Sequence, residues 1–114
     1  MRLPNAHLAI ADREKITTYL LNPSHPYGAS KARFFAAFGF SVDASEVLAN
    51  ALREHARLYE VARTYETDWG PRFEINGRLG APDGRQPRIR SVWQLDEGKI
   101  APRLITAYPL RSKE

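Results

Sequence analysis

The sequence predicts an α+β fold, with N-terminal helices packed on one face of a three- to four-stranded antiparallel β-sheet. Two observations carry this. Apolar residues recur at helical spacing up to about residue 62, then alternate with polar ones as in half-buried strands. Pro-, Asp- and Gly-containing turns separate the later runs, and such short links imply an antiparallel meander. Helices followed by strands then pack together on one sheet face. The 114 residues fit one domain, 1–114, with a helical half at about 12–62 and a strand meander at about 63–109.

Each element follows from local chemistry. Asp12 can cap a helix through Leu21 that puts Ile16, Tyr19 and Leu20 on one face. Asn22 to Gly28 holds two prolines and a glycine and reads as a loop. Ala29 or Ser30 opens a helix running from Lys31 to Phe38, stopped by Gly39, with Phe34, Phe35 and Phe38 seeking the core. Asp43-Ala44-Ser45-Glu46 resembles a capping box. It opens a helix to about Ala62 whose apolar stripe is Val47, Leu48, Ala51, Leu52, His55, Leu58, Tyr59 and Ala62.

The strands are read at Arg72–Leu79, Arg88–Leu95 and Arg103–Tyr108, with a shorter one from Arg63 to Thr67. Turns at Ala81–Gly84 and Asp96–Lys99 join them, and Gly77 to Gly80 reads as turn glycine rather than a phosphate cradle.

The formal net charge is +4, and it is uneven: residues 1–66 hold eight basic and seven acidic side chains, residues 67–114 nine and six. Strand alternation places Arg72, Arg78, Arg88, Arg90 and Arg103 on the face opposite the apolar rows. In the last strand it groups Leu104, Thr106 and Tyr108. Arginine forks match phosphate oxygens, so a row of them suits a nucleic-acid backbone, with RNA the partner of interest. A solvated sheet face also needs charge for its own sake, and that reading stays open.

The absence of cysteine removes thiol catalysis and disulfides, and three scattered histidines are poor metal-site material, so neither a metal nor another cofactor is expected. The start of the chain has no apolar targeting segment, and no run approaches a membrane span. A cytoplasmic protein without a membrane partner is expected. No GxSxG, HExxH, Walker or dinucleotide motif occurs. What remains is metal-free cleavage of RNA by its own 2′-hydroxyl, which needs a base, an acid and cations for the phosphorane. His25 sits in a rigid Pro-flanked loop ahead of a helix, and Lys31 occupies that helix's first turn against the dipole. Thr106 and Tyr108 share a face of the last strand, near Trp93 on its neighbour. Each also has a plain reading: a loop histidine bonded to backbone, a solvated lysine, β-forming core.

Three blocks carry a resemblance: Tyr19-Leu20-Leu21-Asn22-Pro23 with His25-Pro26 and Gly28; Lys31-Ala32-Arg33-Phe34-Phe35 with Gly39-Phe40; and Gly80 to Gly84, Ser91 to Leu95 and Pro102 to Pro109. Together the chain resembles an uncharacterised bacterial domain family, similar to small toxins and to the C-terminal modules of polymorphic toxins. Its order of elements is similar to the barnase–EndoU–colicin–RelE group of ribonucleases. The resemblance implies a toxin-like endoribonuclease, with a small acidic antitoxin or immunity protein as partner. By it, His25, Lys31, Arg90, Thr106 and Tyr108 are the catalytic candidates, and Arg72, Arg78, Arg88 and Arg103 the RNA-contacting ones. A non-catalytic nucleic-acid- or protein-binding module is the alternative.

Overall fold

The computed structural model describes residues 1–110. Helix α1 (Arg13–Lys15) continues as a π-helical turn over Ile16–Leu20, followed by α2 (Ala29–Ala37) and α3 (Ser45–Leu58). Strands β1 (Val61–Thr67), β2 (Gly70–Arg78), β3 (Arg88–Gln94) and β4 (Arg103–Pro109) form one antiparallel sheet in the order β1-β2-β3-β4. This is the α+β meander that the two spacing patterns imply. The helices cover one face of it. Phe73, Ile75, Ile89, Trp93 and Leu104 meet Leu48, Leu52, Ala56, Phe35, Ile16 and Leu20 in a common buried core. Burial of each large apolar side chain contributes about 1.5–3 kcal/mol.

Local chemistry explains the helix ends. Gly39 adopts φ 101° just past α2, the left-handed conformation that stops a helix where glycine allows it. The expected cap at Asp43 is corrected: Ser41 Oγ accepts the Asp43 amide at 3.1 Å, Val42–Ala44 forms a 3-10 turn, and α3 starts at Ser45. Asp12 likewise precedes α1 without a side-chain capping bond. The C-terminal end of α3 lies at Leu58, not Ala62. There Arg2 donates to the Leu58 carbonyl at 2.5 Å, and the Val61 amide donates to Met1 O at 2.7 Å, which starts β1 instead. The buried stripe of α3 is Ser45, Leu48, Ala49, Leu52, His55 and Ala56. Val47 and Leu58, expected within it, are exposed, because the helix presents a slightly rotated face to the sheet.

Two strand details differ from simple alternation. Gly77 is not in a turn but inside β2, where any Cβ would overlap the Tyr59 ring. Strand β4 carries a β-bulge: Val92 pairs with Thr106 and Trp93 with Leu104, leaving Ile105 as the extra residue. Leu104 therefore joins Ala107 in the core while Tyr108 pairs with Arg90 on the other side, so Leu104, Thr106 and Tyr108 do not share a face. The N-terminal segment adds a further element: Ile10 bridges Arg103 in parallel, and Leu3, Ala9 and Ala11 are buried.

Candidate functional site

The loop between the π-turn and α2 is pinned by its own polar groups. Asn22 accepts the Ser24 amide through its side-chain oxygen at 2.9 Å and donates to Thr18 O at 3.1 Å. The His25 amide donates to Asn22 O at 3.2 Å, and His25 Nδ1 accepts the Tyr27 amide at 3.0 Å. Gly28 lies so close to Tyr19 that a Cβ there would sit 2.6 Å from the Tyr19 carbonyl oxygen. Lys31 at the start of α2 reaches back to donate to Tyr27 O at 3.2 Å. A cation that disfavours the helix start thus finds a loop carbonyl instead.

This loop forms one wall of a cleft of about 610 Å³, lined by Asp12, Glu14, Lys15, Thr18, Tyr19, His25, Tyr27, Ile105 and Thr106. The Tyr19 hydroxyl and Thr106 Oγ1 lie 2.9 Å apart, joining the helical half to β4. The His25 and Tyr19 rings meet edge-on with centroids 4.9 Å apart. Lys15 and Lys31 each place an ammonium 5.4 Å from the Tyr19 ring centroid. The proton arrangement at His25 has a chemical consequence. Because Nδ1 accepts an amide, the neutral ring carries its proton on Nε2. Either acid or base service by His25 then requires Nδ1 to leave the Tyr27 amide.

The remaining candidates lie elsewhere. On the face away from the helices, Arg90 donates to Asn76 Oδ1 at 2.9 Å and to the Tyr108 hydroxyl at 3.4 Å. Beside it is Glu74, 6% exposed, whose Oε1 is 3.3 Å from Arg90 Nη1 without a hydrogen-bond partner of its own. Arg63 approaches the same carboxylate at 3.7 Å. Arg72 donates to Gln94 at 2.9 Å, and Arg78 to the Gln86 carbonyl at 3.2 Å. Arg103 is paired with Asp96 at 2.6 Å, and that hydrogen bond holds the Asp96 carboxyl below its ordinary value. Arg88 is exposed.

The structure therefore brings His25 and Thr106 into one cleft with Lys31 against the Tyr19 ring, while Arg90 and Tyr108 lie outside that cleft, two residues further along the sheet face that carries Val92 and Thr106. The five arginines do fall on one side by register, but most are engaged by acceptors. Tyr19, Lys15, Tyr27 and Glu74 were not legible as site residues. Tyr19 looks like core from its spacing, and a lone Glu among arginines looks like a solvated side chain until its burial is seen. Among the described residues no three His, Asp or Glu side chains converge as a metal would need, and no helix is long and apolar enough to cross a membrane.

Comparison with known proteins agrees with an uncharacterised family. The chain belongs to the family described as a domain of unknown function (DUF6883), whose model matches residues 2–111. No curated protein matches it. Its structure is similar to a chain of the contact-dependent growth inhibition toxin–immunity protein complex from Klebsiella pneumoniae 342. The TM-score is 0.72 at 16% identity, over 94% of this chain and 97% of that chain. At that identity the likeness is one of fold.

Proposed function

We propose that this member of the DUF6883 family is a toxin-like, metal-independent endoribonuclease with a small acidic immunity protein or antitoxin as its partner. The observation that carries this reading is the cleft in which a loop histidine and Lys15 meet Thr106 of β4 around Tyr19, with Lys31 placed against the same Tyr19 ring. The fold likeness to a chain from a toxin–immunity complex supports the toxin class. The net charge of +4 suits the member of such a pair that meets RNA.

In this reading the RNA 2′-hydroxyl attacks the adjacent phosphorus, its proton passes to a base, the P–O5′ bond breaks, and the leaving oxygen takes a proton. His25 serves one of the two transfers, as base or acid, once Tyr27 releases Nδ1. Lys31 offsets phosphorane charge, joined by Lys15, while Thr106 orients the substrate with Tyr19. Arg90 and Tyr108, with Arg72, Arg78, Arg88 and Arg103, carry the flanking backbone across the sheet. The second reading is a non-catalytic binding module. It is favoured by the occupied Nδ1 of His25, which leaves no free base in the resting loop.

Inducible expression in bacteria, with growth and total RNA followed together, tests both. The expected outcome is growth arrest with RNA fragments ending in cyclic phosphate. His25→Ala and Lys31→Ala each lower cleavage about 100-fold or more at unchanged folding. Full cleavage by both variants removes the site. Purified protein that binds RNA and leaves it intact removes the enzyme and leaves the binding module.

A further inference from the structure

Tyr27 is 81% exposed, yet its backbone is bonded on both sides. Its amide is held by His25 Nδ1 at 3.0 Å, its carbonyl by Lys31 Nζ at 3.2 Å, Pro26 precedes it, and Gly28 is wedged against Tyr19. The ring lies in the cleft wall, 6.0 Å from the His25 ring centroid. An aromatic ring left this exposed to water buries little area and so contributes little to folding. It is, however, pre-organised for a flat ligand, since its position needs no ordering on binding. Trp69, also exposed, does not line this cleft.

We propose that the Tyr27 ring is a stacking platform for one unpaired RNA base next to the phosphate held in the cleft. The proposal rests on the RNA reading above and narrows it to single-stranded or looped RNA. A base within a continuous duplex has both faces covered by its neighbours and offers none to Tyr27. Asp12 and Glu14 line the same cleft and repel a phosphate backbone, which confines the strand to the part built by Tyr19, His25 and Tyr27. Because the Tyr27 amide also occupies His25 Nδ1, a base that stacks on the ring and shifts the loop frees the imidazole. Recognition and activation would then use one segment.

The test compares wild type, Tyr27→Phe and Tyr27→Ala on a short mixed-sequence single-stranded RNA and on the same sequence in duplex, with one adenine replaced by fluorescent 2-aminopurine. Tyr27→Phe is expected to bind as wild type and quench the probe. Tyr27→Ala is expected to weaken single-strand binding about 5- to 150-fold, raise KM more than it lowers kcat, and lose the quenching. Duplex binding should change less than about twofold. Single-strand binding and quenching unchanged in Tyr27→Ala, with wild type binding normally, overturns this inference alone. Wild type that binds neither RNA overturns the RNA reading itself.

Discussion

On the helix-covered face of the sheet, His55 uses both ring nitrogens. Trp93 Nε1 donates to Ser91 Oγ at 2.9 Å, Ser91 is 2.9 Å from His55 Nδ1, and His55 Nε2 is 3.1 Å from Gly77 O. One proton arrangement satisfies all of them: Trp93 to Ser91, Ser91 to His55, His55 to the carbonyl. On the opposite face, one residue before Ile75 in β2, Glu74 is nearly as buried and keeps one carboxylate oxygen without a hydrogen bond, flanked by Arg90 and Arg63. The first arrangement is closed and neutral, the second open and charged. The contrast teaches that burial alone does not tell a structural polar group from one available to a ligand. What distinguishes them is whether every donor and acceptor already has its partner.

Three experiments would break or sharpen that contrast. The largest effect belongs to the covered face. His55→Ala removes the ring, orphans Ser91 and the Gly77 carbonyl, and should cost about 2–4 kcal/mol in urea unfolding. Burial is the leading cause that lowers the His55 pKa below 6.5. The unfolded chain then binds more protons than the folded one below that value. Stability is therefore complete above about pH 6.5 and is lost as pH falls further. An acid titration of unfolding free energy checks this, and the slope attributable to His55 should vanish in His55→Ala.

On the open face, Glu74→Gln should cost less, about 1 kcal/mol, because Arg63 is largely exposed and water screens its charge. The same change frees two guanidiniums, so RNA should bind more tightly and with a steeper salt dependence. His55→Ala, corrected for folding, should leave that dependence alone. A Glu74→Gln variant with unchanged salt dependence would mean that the open face does not meet RNA.

The smallest effect is expected for Arg88→Ala. Its side chain is exposed, so folding should change by less than about 0.5 kcal/mol. The logarithmic salt slope of RNA binding should fall by about 0.7–0.9 if that arginine contacts one phosphate. Binding isotherms over a salt series measure it.

The phase of β2 and β3 was readable because alternation is a local property: Phe73 and Ile75 turn inward as their spacing demands, and Arg72 and Arg90 outward. The phase of β4 was not. Its bulge at Ile105 exists because Trp93 and Ser91 on β3 must meet Leu104 and Ala107, and nothing in the residues of β4 announces that. Half of the candidate site was legible for similar reasons. His25 and Lys31 stand out against local preference, in a Pro-rich loop and a helix first turn. Tyr19 and Glu74 obey every local rule, and only their neighbours give them a part.

Composition and periodicity by themselves determined the α+β class, the strand meander, the helix stop at Gly39 and the basic bias of the strand half. These follow from side-chain spacing and backbone preference within a few residues. Only the tertiary structure decided which cations are engaged, which carboxylate is buried, and that His25 lines one cleft with Thr106, 81 positions away in the chain, with Lys31 against the Tyr19 ring that joins the two halves. Those depend on strand register, on the rotation of α3 and on the fit of one loop against Tyr19, where contacts far apart in sequence compete and the lowest free energy of the whole chain chooses among them.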